Sequence, residues 1–391
     1  MQNLRRKSRY SPQSLYFCTV KHRFAMAKYI YQHENWTDFT WDYQKISSLL
    51  AEVRNLQGRL MGKMSSIGFQ YQSEATLENI TLDILKSSEI EGEKLNRKQI
   101  RSSLARRLGL DVAGLVPSAR NIDGIVEMML DATQHYDQPL TEDRLFGWHA
   151  ALFPTGYNSL YKIDVACYRK GEMQVVSGLM GREKVHYEAV AASDVKTEMD
   201  KFLHWLNTDE TQDSIIKAAM AHIWFVTIHP FDDGNGRMAR AITDMLLARS
   251  DQSPQRFYSM SMQINKERKA YYTAIEKTQH QTEDSDLTLW LEWFLNCLKN
   301  AILWSEHTLQ SVMDKALFWS RNSQMAFNDR QVKMLNKLLD GDFRGKLQSS
   351  KWAKMCKCSQ DTATRDLKGL VEKGIMLQEE GGRNTNYVLS I

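Results

Sequence analysis

No stretch of this 391-residue chain approaches the roughly 20 consecutive apolar residues that a membrane-spanning helix requires, so a bilayer span by helices is excluded and no membrane partner is expected. A paired cysteine framework is missing as well. The five cysteines (Cys18, Cys167, Cys297, Cys356 and Cys358) are scattered, which argues against a disulfide-stapled scaffold and sets the expected compartment as a reducing cytoplasm. Cys356 and Cys358 are too close together, and lack a second ligand pair, for a structural zinc site. Acidic residues are absent from residues 1–25, where Arg5, Arg6, Lys7, Arg9, Lys21 and Arg23 contribute +6, so the remaining chain carries −2 of the formal +4. This head has no helical period and reads as a disordered basic arm able to touch nucleic acid or membrane, or as an upstream extension. The extension is preferred, with the natural start at Met26, because the coherent pattern begins at Tyr29-Ile30-Tyr31.

What is present is enough for substantial cores: 42% of residues are hydrophobic and 25% charged, in a length that fits two or three domains. The most concentrated chemistry is His229-Pro230-Phe231-Asp232-Asp233-Gly234-Asn235-Gly236-Arg237-Met238-Ala239-Arg240. Ile215, Ile216, Ala219, Ile223 and Val226 before it, and Met238, Ala241, Ile242, Met245 and Leu246 after it, recur at helical spacing, so the segment joins two helices. Gly234 and Gly236 permit a tight turn and close ligand approach, and backbone N–H groups around Asn235 can line an anion hole at the start of the second helix. Arg237 and Arg240 present two guanidinium forks for a polyphosphate, and Asp233 is a hard oxygen ligand for Mg²⁺ riding on it. His229 can accept a proton near neutral pH. A plain loop, in which Asp and Asn cap the next helix and the arginines are solvated, is the competing reading.

These residues match the signature of Fic-domain proteins, H-P-F-x-D-G-N-G-R-x-x-R, at every defined position, and the chain resembles that family. The resemblance implies transfer of AMP from ATP to a Tyr, Thr or Ser hydroxyl of a target protein or of the chain itself. In it, His229 would be the general base and Asp233 would hold the metal. Gly234, Asn235 and Gly236 would bind phosphate, and Arg237 and Arg240 would orient the β and γ phosphates.

Upstream, Ile46, Leu49, Leu50, Val53, Leu56 and Leu60 form one helical stripe and Leu77, Ile80, Ile84 and Leu85 another. The second ends in Ser87-Ser88-Glu89-Ile90-Glu91-Gly92, by pattern a helix closing on a glycine cap with solvated acids. Ser87 and Glu91-Gly92 also resemble the inhibitory motif S/T-x-x-x-E-G/N of Fic proteins restrained by an N-terminal helix, which implies that Glu91 enters the nucleotide site and pairs with Arg240. Met173–Ser177 and Lys184–Glu188 are short β-type runs around Gly178 and Gly181 and predict a hairpin. In the family such a hairpin is a flap that pairs with the target's backbone. The resemblance places Tyr272 near the adenine. Tyr271 and Tyr272 equally suit a core, and His186 and His222 read as structural.

The last 65 residues change character. Stripes at Val332/Leu335/Leu338/Leu339, Trp352/Ala353/Met355 and Ala363/Leu367/Leu370/Val371, the last begun by Ser359, predict three helices. Ile375–Gln378 and Tyr387–Leu389 predict a ribbon. That order resembles a winged helix-turn-helix, with Gln360, Thr362, Thr364 and Arg365 on the third helix and Arg383 on the wing. Residues 327–391 hold 12 basic and 8 acidic residues, so DNA reading and protein docking or self-association both stay open.

The resulting expectation is a mainly α protein: a Fic-type helical bundle with a β-hairpin flap and a C-terminal winged helix. Its parts are a basic extension (1–25), an N-terminal helical region with the inhibitory helix (26–110), a catalytic core (111–326) and the winged helix (327–391). Two alternatives remain open. One is a Fic enzyme that mainly removes AMP or uses another nucleotide; the other is a nucleotide-sensing DNA-binding regulator.

Overall fold

The computed structural model describes residues 28–110, 114–158, 161–177, 184–281, 284–339, 343, 345–379 and 385–390. The basic head, Gly178 and Gly181 of the hairpin turn, and Arg383 of the expected wing therefore lie outside the described residues.

The chain forms α1 (Tyr43–Ser65), α2 (Phe69–Ile90), α3 (Arg97–Arg107), α4 (Arg120–Gln134) and α5 (Glu142–Leu152), then strands β1 (Gln174–Ser177) and β2 (Lys184–Glu188). It continues through α6 (Val195–Thr208), α7 (Ser214–Ile228), α8 (Asn235–Asp251), α9 (Met260–Lys266), α10 (Arg268–Gln279) and α11 (Thr288–Arg321). Helices α12 (Asp329–Leu339), α13 (Ser349–Cys356) and α14 (Gln360–Glu372) precede β3 (Met376–Glu379) and β4 (Asn386–Leu389). Both strand pairs are antiparallel, and the first has a register shift between Val175 and Val176.

The molecule is built around α7 and α8. Thirteen residues of α7, all those from Ile215 to Ile228 except Lys217, are buried, so this helix is apolar on every side and runs through the interior. Asp213 starts it by accepting hydrogen bonds from the backbone N–H of Ile215 and Ile216, which have no partner within the helix. The same carboxylate pairs with Arg54 of α1 at 2.8 Å, so one residue both starts the central helix and docks the N-terminal one. Helix α1 buries Ile46, Val53, Leu56, Leu60 and Met64, spaced to form one face, and lies along α11. Trp290 of α11 donates its indole N–H to the Ala219 carbonyl of α7 at 2.7 Å, satisfying a group that would otherwise be buried without a partner. One continuous core runs from Ile30 to Ala316.

A second core gathers Met334, Leu335, Leu347, Trp352, Leu367, Leu370, Met376 and Tyr387, with Phe318 and Trp319 at the end of α11 packed against it. Asp366 ties α12 to α14 by accepting from Arg330 Nε at 2.7 Å and from Asn328 Nδ2 at 2.9 Å. Ser359 starts α14 by accepting from the backbone N–H of Thr362. Among the described residues no helix is long and apolar enough to cross a membrane.

Candidate functional site

Helix α7 stops at His229 because the next residue, Pro230, cannot continue the hydrogen-bond ladder. His229 takes up a left-handed conformation, φ 54° and ψ 60°, which turns the chain sharply and is uncommon for a residue with a Cβ. Its ring Nδ1 faces the Val226 carbonyl at 3.3 Å. A carbonyl only accepts, so Nδ1 carries the proton and the lone pair lies on Nε2. Burial lowers the imidazole's pKa from its ordinary value, which keeps the ring neutral and able to accept a proton at neutral pH.

The loop that follows is fixed from several sides. Asn235 closes it with both ends of its amide, Oδ1 accepting from Phe231 N at 2.9 Å and Nδ2 donating to Phe231 O at 2.7 Å. This side chain is spent on the loop, so what Asn235 offers a ligand is its backbone N–H. Phe231 is buried and stacks on His149 with centroids 4.3 Å apart. His149 Nδ1 accepts from the N–H of Ala166 at 3.1 Å, so Nε2 carries the proton and donates to the Asp233 carbonyl at 3.2 Å. Asp233 Oδ2 accepts from Asn158 Nδ2 at 2.9 Å.

Gly234 adopts φ 82°, and a Cβ there would lie 2.9 Å from the Phe153 ring, so glycine is required twice over. Helix α8 begins at Asn235, leaving the N–H groups of Asn235, Gly236 and Arg237 without intrahelical acceptors at the positive end of the helix dipole. The C-terminal end of α2 reaches this anion-seeking terminus. A Cβ on Gly236 would sit 2.2 Å from Glu91 Oε1, so the Glu91 carboxylate rests directly over the first turn of α8. Arg240, 2% exposed, donates through Nε to Ser87 Oγ at 2.8 Å, and through Nη2 to the Ser87 carbonyl at 3.0 Å and Glu91 Oε1 at 2.7 Å. Arg237 Nη1 pairs with Glu93 Oε2 at 2.9 Å, and its guanidinium lies 5.1 Å from the Phe153 ring centroid. Two buried donors, Arg237 Nε and Arg240 Nη1, have no partner among the described residues. A cavity of about 510 Å³ opens here, lined by Glu91, Glu93, Arg120, Asn158, Asp233 and Arg237.

Helix α2 is held in place one turn before Ser87. Asp83 is buried and accepts from the Ser261 N–H at 3.0 Å, the Ser261 hydroxyl at 3.1 Å and the Ser259 hydroxyl, which together fasten α2 to the start of α9. Tyr272 is 42% exposed, with its hydroxyl 3.5 Å from the Ile90 carbonyl at the end of α2. Tyr271 points inward instead, and its hydroxyl meets His222 Nε2 at 2.8 Å. His222 is buried, and its Nδ1 meets Thr243 at 2.8 Å. Of the residues singled out from the sequence, Glu91, Asp233 and Arg237 line the cavity. Ser87, Gly236 and Arg240 lie against the Glu91 side chain or its helix, and His229, Gly234 and Asn235 belong to the loop between α7 and α8.

Sequence reasoning passed over four residues of this neighbourhood: Glu93, His149, Asn158 and Arg169. Glu93 had a signal, since it lies two residues beyond Glu91 across a glycine. His149 and Asn158 come from a separate helix and loop whose patterns carry nothing to set them apart.

The topology, a helical bundle carrying the strand pair β1–β2 between α5 and α6, defines the class of fold. A Fic family protein from Desulfovibrio desulfuricans G20 superimposes with a TM-score of 0.52 over 88% of this chain and 95% of that one, at 19% identity. Residues 139–247 match the Fic/DOC family, and residues 29–110 match a domain of unknown function, DUF4172. The stretch His229–Arg240 lies within the residues that match the Fic/DOC family. The protein adenylyltransferase Fic of Drosophila mojavensis is 27% identical over 177 residues, 44% of this chain and 32% of that protein. The protein adenylyltransferase fic-1 of Caenorhabditis briggsae is 39% identical over 70 residues, 17% of this chain and 14% of that protein. The chain thus spans a third or less of the length of these curated relatives.

Proposed function

We propose that this protein is a protein adenylyltransferase, transferring AMP from ATP to a Tyr, Thr or Ser hydroxyl of a target protein or of itself, and that Glu91 restrains it. The observation that carries the reading is the pair of buried arginine donors without partners among the described residues, in the first turns of a helix whose preceding loop begins at a neutral histidine. Triphosphate oxygens satisfy such donors, and the first turn of α8 supplies N–H groups for the same anion. The carboxylate of Glu91 over Gly236 marks the spot as one that favours negative charge.

In the reaction, His229 Nε2 takes the proton of the target hydroxyl while the oxygen forms a bond to the α-phosphorus and the bond from that phosphorus to the bridging oxygen breaks. Pyrophosphate leaves with its charge held by Arg237, Arg240 and the α8 N–H groups. Asp233 would hold Mg²⁺, which would neutralise phosphate charge; one protein carboxylate suits an ion that keeps its waters and binds through phosphates. The hairpin β1–β2, with Val176 and Val185 exposed, suits strand pairing with a target segment. Tyr272 offers a flat, accessible ring for adenine.

Glu91 restrains the reaction by occupying Arg240, so ATP enters with its γ-phosphate unclamped and its α-phosphate out of line. We read residues 327–391 as a winged helix whose exposed Gln360 and Arg365 form a docking face. Salt-dependent binding to duplex DNA that weakens in R365A makes this a DNA reader; no affinity at low salt makes it a protein-docking face.

The test uses α-labelled and γ-labelled ATP with the native chain, E91G, and E91G combined with H229A. The expected incorporation of α label into protein is low, high and absent, with ATP binding retained in the last, since losing a general base typically costs about 10²–10⁴-fold. Label from the γ position, or none in E91G, refutes the assignment.

A further inference from the structure

Arg169 is 2% exposed and lies in the segment between α5 and the hairpin. Its Nε donates to the His229 carbonyl at 2.8 Å, its Nη1 to the Gly171 carbonyl at 2.8 Å, and its Nη2 to the Ile228 carbonyl at 3.4 Å and to the Val190 carbonyl. Its backbone N–H adds a bond to the Pro230 carbonyl at 2.9 Å. No carboxylate touches it among the described residues; Glu172 and Asp232 act on it only through space.

A buried cation surrounded by carbonyls needs a reason, and the identity of those carbonyls supplies one. Ile228 and His229 close the C-terminal, negative end of α7, where the last carbonyls have no helical donors. Gly171 and Val190 lie on the two stems of the hairpin, ahead of β1 and beyond β2. One planar guanidinium with donors in a fixed fork therefore grips the backbone of His229 and both hairpin stems at once. His229 needs such a grip, because its left-handed conformation persists only where its surroundings enforce it.

We infer that Arg169 is a positioning residue: its guanidinium holds the histidine-bearing corner and the hairpin in one register, so that a hydroxyl presented by the hairpin meets His229 Nε2. The inference rests on the reading of His229 as the base and of the hairpin as the target-binding element. Lysine is a poor substitute for this arginine, since its three donors radiate from one nitrogen whereas Arg169 reaches these carbonyls from three nitrogens spread over a plane.

The experiment introduces R169K and R169A separately into full-length E91G and measures AMP transfer, ATP affinity and melting. R169K is expected to lower the turnover number at least about tenfold while the KM for ATP stays within about twofold, because misplacing the reacting atoms affects the step and not nucleotide binding. Free guanidinium is expected to restore part of the activity of R169A, where sodium chloride at equal ionic strength does not. Transfer by R169K at the parent rate, or loss of ATP binding in step with transfer, overturns the inference. Where R169A does not fold, R169K decides. An E91G parent that transfers no AMP refutes the functional reading, and Arg169 is then judged by histidine-selective NMR of the native chain and R169K, with His229 assigned through H229A. A shifted or duplicated His229 ring signal supports the positioning role; an unchanged one overturns it.

Discussion

Removing the charge of Glu91 should make the ligand-free protein less stable and the nucleotide-bound protein more active. In the native chain Arg240 is 2% exposed and 2.7 Å from Glu91 Oε1. Deleting one partner of a fully buried ion pair typically costs about 3–5 kcal/mol, most of it from the charge left behind. Glu91 is 35% exposed and Arg240 keeps both bonds to Ser87, so water and Ser87 relieve part of that penalty. A loss of about 1–2 kcal/mol is expected for E91Q and E91G without nucleotide. ATP supplies Arg240 with a phosphate in place of the lost carboxylate, so the gap closes as ligand is added. By linkage the variants then bind ATP about 5- to 30-fold more tightly than the native chain. Thermal melting of the three proteins with and without ATP and Mg²⁺, together with equilibrium ATP binding, measures both quantities. Variants as stable as the native chain without ATP, and gaining the same shift with it, would show that Glu91 is an ordinary solvated acid at a helix end.

Four further outcomes follow from the same geometry. G236A places a methyl where Glu91 and the phosphates must lie, 2.2 Å from Glu91 Oε1, so it should weaken ATP binding and, unlike E91G, give no gain in AMP transfer; a G236A protein as active as E91G contradicts the cradle. Burial lowers the pKa of His229, so the base stays neutral to a lower pH than a free imidazole, and the acid limb of AMP transfer by E91G should fall below pH 6.5; a limb above it contradicts the assignment. Burial pushes His222 down to about 3, so between pH 6.5 and 3 the unfolded chain takes up a proton that the folded chain refuses. Stability should therefore fall with pH by about 1.4 kcal/mol per unit from this residue, a slope that urea denaturation should find flattened in H222Q. A fragment starting near residue 315 should melt cooperatively and at higher temperature than one starting at 327, because Phe318 and Trp319 belong to the second core; equal melting refutes that dependence.

Local pattern made most elements legible. The 3.6-residue stripes at Ile46–Leu60 and Leu77–Leu85 are α1 and α2, and Gly92 closes α2 at φ 84°. The alternation on either side of Gly178 and Gly181 gives β1 and β2. The cleft was legible where its chemistry is contiguous, because a turn between two helices must bring His229, Asp233 and Arg237 to one end of the bundle. Tyr271 and Tyr272 were not separable by pattern. Adjacent helical residues differ by about 100° in direction, so one faces the core and the other the cleft, and only the packing of α10 assigns which.

The sequence by itself determined the helical class and the motif stretch with its glycines and arginines, since each depends on spacing within one or two elements. The pairing of Glu91 with Arg240 was only what the family resemblance implied, and it is the packing of α2 against α8 that brings the two to 2.7 Å. Tertiary structure alone decided that Glu93 reaches Arg237 and that the Asn235 side chain is consumed by Phe231. It also decided that His149 holds the Asp233 carbonyl and that Arg169 joins the histidine corner to both hairpin stems. The Asn235–Phe231 contact is set by the turn of one loop; most of the others join residues far apart along the chain and depend on the angle at which packed elements meet. Hydrophobic periodicity says which face of a helix is buried, but the partner that each polar group finds there is settled only when the helices and loops close on one another.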